Sequence, residues 1–318
     1  LWIGTMRGGL NRLDTKSGEV TVFQNDASDP ASLAANGVMA IFEDSTGNVW
    51  AGTYGGGANR FDKTSGSFTR FLPVDGDATS ISSTRVRAFA EDASGKLWMA
   101  TDAGGLNLFD PATETFTHFR HDAFDPTTLA DDTIYSLDVG ADGTLWVGTQ
   151  GGGLDRVVGS AAVPGEIRFE NISQADGLTN NVIYGLEVDT NGVVWVSTAY
   201  GISRYNPFTG DIRNMHRSDG LQSEEFHSGA HYQSESGELF FGGPNGYNSF
   251  RPDQLVAANV VPLVMLTGVF LGNDPIKADK PIDDKEGLTI DYKQDSVSFE
   301  FAALDYTASE RNQYRYKL

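Results

Sequence analysis

Five histidines, His118, His121, His216, His227 and His231, are the chain's only imidazoles, and there is no cysteine among its 318 residues. None of the histidines has the HExxH spacing that sets two ring nitrogens and a carboxylate on one helix face around zinc. Without cysteine there is no Cys–His nucleophile, no disulfide framework and no zinc–thiolate site. The glycine runs Gly55-Gly56-Gly57 and Gly151-Gly152-Gly153 join two extended segments and do not open a helix, so they lack the aligned N–H groups that hold phosphate. The acidic turns Glu43-Asp44 to Gly47 and Glu91-Asp92 to Gly95 offer the oxygen donors calcium takes, but no set of them converges in sequence. No catalytic residue, metal or cofactor is therefore expected, and chemistry is left to variable polar and aromatic side chains on a repeated framework.

That framework is written by the tryptophans. Trp2, Trp50, Trp98, Trp146 and Trp195 are the only five, spaced 48, 48, 48 and 49 residues apart, each in one phrase: LWIGT, VWAGT, LWMAT, LWVGT and VWVST. A sixth copy, LFFGG, puts Phe240 in the tryptophan's place. One unit reads as four short extended runs: VMAIFED, NVWAGT, ANRFDK and SFTRF, separated by Ser-Thr-Gly, triple-Gly and Ser-Gly turns. A four-stranded unit repeated every ~48 residues cannot bury its faces alone and predicts an all-β propeller. The six aromatic positions are expected to be structural. Ten residues upstream of each, from the second unit on, stand Ala40, Ala88, Ser136, Gly185 and Ala230, small side chains expected where the innermost strands crowd.

The chain opens in the second strand of a unit, so about six blades are expected, the first incomplete, as part of a seven-bladed or double propeller. The rhythm stops at Arg251-Pro252-Asp253. Val260–Asp274, Gly287–Tyr292 and Ser296–Tyr306 then read as strands of another kind, which sets domains at 1–253 and 254–318, the latter a partial Ig-like β-sandwich.

In a four-stranded blade the connections from the second to the third strand and from one blade to the next emerge on one face. The interblade loops are long and differ between units, and the residue after the near-constant threonine of LWxGT varies. Variation on a rigid repeat is where specificity is built. Ligand-binding residues are thus expected at Arg7, Tyr54, Asp102, Gln150, Tyr200 and Asn245, with Arg85, Arg87, His121 and Tyr135 beside them. Tyrosine faces with amide and charged groups suit an oligosaccharide or other small molecule. A net charge of −20, from 23 basic and 43 acidic residues, argues against nucleic acid or anionic membrane as a partner.

The units resemble the two-component regulator propeller family. The resemblance is carried by the Asp-Pro-x-Ser-Leu lead, the acidic Gly turn, Leu-Trp-x-Gly-Thr and Gly-Gly-Leu-x-Arg, as in Asp29–Asp62 and Asp125–Val157, with a variant at Asp176–Pro207 and a degenerate last copy at Asp219–Asp253. The segment after it resembles the family's triple-tyrosine β-sandwich, with Tyr306, Tyr314 and Tyr316 in its tyrosine-rich strands. The resemblance implies the periplasmic sensor region of a bacterial receptor with a histidine kinase, hybrid two-component or diguanylate cyclase output. It implies membrane anchorage through sequence beyond this chain, and a homodimer. The fragment itself reads as non-catalytic. The competing readings are a protein-interaction propeller and a propeller lyase or glycosidase, the latter requiring two carboxylates or a His–carboxylate pair at the mouth.

Overall fold

The computed structural model describes residues 1–160, 165–255, 264–272, 274–275 and 296–303. The chain divides into two compact units, Leu1–Leu255 and Val256–Leu318. The first is a propeller of six antiparallel sheets in sequence order. Calling the strands of a full blade A to D, blade 1 has three, B to D (Trp2–Gly4, Leu10–Leu13, Val20–Phe23). Blades 2 to 5 have four each: Val38–Glu43, Val49–Thr53, Ala58–Asp62 and Ser67–Phe71; Val86–Glu91, Leu97–Thr101, Leu106–Asp110 and Thr115–Phe119; Ile134–Val139, Leu145–Thr149, Leu154–Val158 and Arg168–Ile172; Ile183–Val188, Val194–Thr198, Gly201–Tyr205 and Ile212–Met215. Blade 6 has three, A to C (His231–Gln233, Leu239–Gly243, Gly246–Phe250). From blade 2 onward, consecutive A strands pack on one another, so strand A is the inner strand.

Burial follows the repeated phrase. Every strand B residue of blades 2 to 5 is buried, because each sheet is covered on both faces by its neighbours. Trp50 points forward and packs with Leu97, Met99 and Phe109 of blade 3. The next residue, Ala51, points backward and clusters with Leu10 of blade 1. The indole N–H is not wasted. Trp50 Nε1 donates to Asp44 Oδ2 at 2.8 Å, Trp98 to Asp92 at 3.2 Å and Trp195 to Asp189 at 2.9 Å. The acidic A–B turns are thus devices for their own hairpins, since Asp44 also accepts the N–H groups of Thr46 and Asn48. Strand C supplies an arginine that lies over the same indole in four blades, Arg12, Arg60, Arg156 and Arg204, at 5.7–6.0 Å from the ring centroid.

The small strand-A position is explained by crowding. A Cβ on Gly185 would lie 2.8 Å from the Cβ of His231 on blade 6. The glycine ending each B–C loop has a different cause. Gly9, Gly57, Gly105, Gly153 and Gly201 all have positive φ, and a side chain there would run into the last carbonyls of strand D in the same blade.

In the second unit, Val264–Leu271 lies between Asp274–Pro275 and Val297–Ala303, antiparallel to both. The expected strand at 287–292 and the tyrosines 306, 314 and 316 lie outside the described residues. Among the described residues no helix is long and apolar enough to cross a membrane.

Candidate functional site

The B–C loops and the D–A loops lie on one face and are stitched together. Gly57 N–H donates to the Thr84 carbonyl at 2.8 Å, Gly105 to Asp132 at 2.8 Å, Gly153 to Asn181 at 3.0 Å and Gly201 to Glu224 at 2.6 Å. Each bond links the B–C loop of one blade to the loop entering the next. The threonine of LWxGT is buried beneath, its hydroxyl donating to a loop glycine carbonyl: Thr53 to Gly57, Thr101 to Gly105, Thr149 to Gly153 and Thr198 to Gly201. A strand-C oxygen holds each D–A loop from within. Asn59, Asn107, Asp155, Ser203 and Asn248 accept the N–H of Ala34, Ser82, Ala130, Thr179 and Gln222 at 2.8–3.0 Å. Leu33, Ile81, Leu129 and Leu178 plug the same loops into the core at 3 % exposure or less. The face is a rigid platform despite being built of loops.

A recurrent bulge aims side chains across it. In blades 2 to 5 the A–B register skips one residue, leaving Met39, Arg87, Tyr135 and Tyr184 out of the ladder, each directly before the small position. A bulged residue is freed from the alternation of the strand and re-aimed. Three of these four join the B–C residues in one continuous array. Arg85 lies over the Tyr54 ring at 4.4 Å. The Asp102 carboxylate, 14 % exposed, takes Arg87 at 2.9 Å and Arg85 at 3.5 Å. Arg87 in turn lies over Tyr135 at 4.7 Å, and Tyr135 stacks on Tyr184 with centroids 5.9 Å apart and planes 21° from parallel. Burial pushes the Tyr135 hydroxyl above its usual range, so it stays a neutral donor and acceptor. Arg87 Nε is buried without a partner among the described residues. The array therefore presents aromatic faces, a guanidinium pair and a carboxylate.

Five of the expected residues come together here: Tyr54, Arg85, Arg87, Asp102 and Tyr135. Gln150 takes the matching place in blade 4, its N–H on the Thr133 carbonyl at 2.9 Å, with its side chain exposed. Four expected residues are placed otherwise. In blade 5 the N–H bond equivalent to that of Tyr54 is made by Ala199, to Val182, and Tyr200 instead packs 5.2 Å from the His216 ring. Ala199 directly follows Thr198 as Tyr54 follows Thr53, and Tyr200 stands one place further on. In blade 6 Asn245 is fastened to Gln222 by its N–H at 2.8 Å and its side-chain amide at 3.2 Å. In blade 1 Met6 follows the threonine and Arg7 stands one place further on, exposed. His121 is a loop clamp: its Nδ1 meets the Leu129 carbonyl at 2.7 Å.

Sequence reasoning missed Met39 and Tyr184, although the small position beside them was legible. It also missed a His–carboxylate contact on this face, His216 Nδ1 to Glu224 Oε2 at 3.2 Å. Glu224 accepts the Arg217 N–H as well, so the pair braces the short 3-10 turn Arg217–Asp219. Among the described residues no group of three or more His, Asp or Glu side chains could hold a metal ion. Cavities of about 210 Å³, lined by Phe119, Arg120 and Arg168 among others, and about 620 Å³, lined by Leu1, Arg12 and Leu13 among others, include no residue of the array.

Three stretches, residues 32–55, 80–103 and 177–200, match the family model described as two component regulator propeller. Each spans an A–B hairpin with its leading loop. Histidine kinase P4 of Formosa agariphila is 32 % identical over 125 residues, 37 % of this chain and 9 % of that protein. Among solved structures, the extracellular domain of a hybrid two-component system from B. thetaiotaomicron aligns over 97 % of this chain and 45 % of its own, with TM-score 0.52 and 22 % identity. Virginiamycin B lyase from Staphylococcus aureus aligns over 79 % and 80 %, with TM-score 0.57 and 13 % identity. At such identities the likenesses show the fold. The chain spans less than half of the hybrid-system domain and about a tenth of the kinase. Three of its A–B hairpins match the two component regulator propeller model, and its fold is similar to that of the extracellular domain of a hybrid two-component system.

Proposed function

We propose that this propeller of two-component regulator repeats is the ligand-sensing region of a bacterial transmembrane receptor, exposed to the periplasm and reading a small molecule or oligosaccharide at its loop face. The observation that carries the reading is the Tyr54–Arg85–Asp102–Arg87–Tyr135–Tyr184 array on its stitched loop platform. Sugars are held by stacking their apolar faces on tyrosine and by bonding hydroxyls to fixed guanidinium and carboxylate groups. For such binding to signal, the ligand must favour one of two receptor arrangements, which in the family's receptors are pairings of two chains.

The test is a thermal-shift and calorimetric screen of the protein against plant, algal and host-glycan oligosaccharides, with and without calcium. With a binder found, Tyr135→Ala combined with Tyr184→Ala is expected to weaken it by about tenfold or more, the loss of one to two stacking contacts. Unchanged affinity in that variant would remove the array from the site. A protein-interaction platform is the second reading, favoured by apolar side chains exposed on the same face, Phe124 at 97 %, Met6 at 62 % and Val74 at 57 %. The two separate on whether Phe124→Ser or the tyrosine pair abolishes the interaction found. The likeness to a lyase is one of fold alone.

A further inference from the structure

On strand A the residue paired with each tryptophan faces the next blade. In blades 2 and 3 it is Phe42 and Ala90, and in blades 4 and 5 it is Asp138 and Glu187. The residue just before it faces the blade behind: Phe89, Leu137 and Leu186 in blades 3 to 5, but His231 in blade 6. Three titratable side chains thus stand where neighbouring blades place apolar ones, although burying a charge is costly and the fold does not require it. Phe42 meets blade 3 by stacking on Phe89 at 6.2 Å. Blades 4 to 6 are joined by polar contacts instead. Asp138 Oδ2 accepts the Val188 N–H of blade 5 at 2.7 Å, and its Oδ1 accepts the Val139 N–H at 2.8 Å. Glu187 Oε1 meets His231 Nδ1 of blade 6 at 2.9 Å. Glu187 is buried, whereas Asp138 and His231 are half-buried and keep a route for proton exchange. His231 packs flush on Gly185, and the Gly229 N–H two residues before it donates to the Tyr184 carbonyl at 3.1 Å. Tyr135 and Tyr184 precede Asp138 and Glu187 by three residues, so the stacked tyrosines and the carboxylates ride on one pair of inner strands.

We infer that Asp138, Glu187 and His231 form a second sensory site whose ligand is the proton, and that the inner strands of blades 4 and 5 carry its state to the tyrosine pair of the loop face. The consequence for binding rests on the loop-face reading given above. Among the described residues the three do not gather into a group that could hold a metal ion. Other charges nearby are already committed. From blade 3, Arg87 is held by Asp102 and lies over Tyr135, and Glu91 turns back to take the Ser45 N–H and hydroxyl of blade 2 at 2.7 and 2.6 Å. Beyond Glu187 on blade 5, Asp189 accepts the Trp195 indole. Asp138 therefore answers to two partners, Glu187 from blade 5 and His231 from blade 6. Burial and the Glu187 charge raise it from 3.8 to about 6, against the opposing pull of His231, so it takes up a proton as pH falls through that value. Protonated, it still accepts the Val188 N–H and no longer repels Glu187. Ionised, it sets two negative charges on adjacent inner strands against one imidazole, and the strands that aim Tyr135 and Tyr184 are pressed apart.

Fluorine resonances of the fluorotyrosine-labelled protein test this with no sugar present, so its failure leaves the ligand reading standing, and a failed sugar screen leaves this inference standing. The Tyr135 and Tyr184 signals, assigned from Tyr135→Phe and Tyr184→Phe, are followed between about pH 5 and pH 7.5. Both are expected to shift with one midpoint at about 6. Asp138→Asn keeps an acceptor for the Val188 N–H but removes the titration, and should leave both signals flat. Glu187→Gln should move the midpoint to lower pH, because the charge that raises Asp138 is gone. Asp155→Asn removes the other carboxyl of blade 4 raised to about 6, and should leave the midpoint in place. Signals that stay flat in the folded wild-type protein overturn the inference. So does a midpoint that survives Asp138→Asn or vanishes in Asp155→Asn. If Asp138→Asn does not fold, Glu187→Gln decides alone, and an unchanged or raised midpoint there overturns it.

Discussion

Asp155 shows how much a single buried group records of its neighbours. It is fully buried on strand C of blade 4, where its carboxylate holds the Ala130 N–H at 2.9 Å and the Asn171 amide at 3.0 Å. Burial raises its pKa from 3.8 to about 6. A carboxyl raised on folding contributes stability that is fully present below pH 3.8 and is lost as pH climbs through about 6, an amount of at most about 3 kcal/mol. Asn59 and Asn107 do the same task in blades 2 and 3. Asp155→Asn is therefore expected to raise Tm above pH 6, with the gap closing by about pH 4, as a melting series across that range would show. At the array, Asp102→Asn should free Arg85 and Arg87 from their shared counter-charge. Affinity for an acidic ligand should rise and that for a neutral one fall, which titration calorimetry would resolve. Tyr54 and Asp102 stand out in the sequence because they vary within a constant phrase, and Arg85, Arg87 and Tyr135 were expected only beside them. Tyr184 was not, since nothing in a linear sequence marks a residue as bulged. Arg7, Tyr200 and Asn245 stand two places after the threonine position, with Met6, Ala199 and Pro244 in the place that Tyr54, Asp102 and Gln150 hold.

At the level of the element, the hairpins could be read almost entirely from the sequence, and the causes of their fixed residues could not. The Asp of the acidic turn is the acceptor for the indole six residues on. Blade 4, with Gly140 in that place, keeps its tryptophan without such a carboxylate. Asp44→Ala is accordingly expected to cost about 1–3 kcal/mol by leaving a buried N–H unpaired, measurable as a shift in denaturant midpoint. The glycine closing each B–C loop is stricter. Gly57→Ala would force a side chain at φ 59° toward the Phe71 carbonyl, and should destabilise by more than the about 1 kcal/mol of an ordinary left-handed site. The glycine follows the tryptophan by 7 residues in blades 1 to 4 and by 6 in blade 5, and the approach of strand D explains it.

Across the whole molecule, period and charge set behaviour that no single residue shows. A chain of net charge −20 repels itself, so Tm is expected to rise between about 10 mM and 150 mM salt and then level, a trend calorimetry would show. The propeller was legible because one phrase recurs six times. The second unit has no repeat to lean on, and its described part is the sheet of Val264–Leu271 with its two neighbours.

The bulge at Met39, Arg87, Tyr135 and Tyr184 separates two kinds of inheritance. The ladder on either side closes without these residues, so the fold places little selection on their identity. Under the proposed function, a lineage could change the ligand by single codon steps at these four positions while the ladder beside them stays closed. Diversification of this kind would leave the tryptophan phrase intact while the inner ring of side chains drifts.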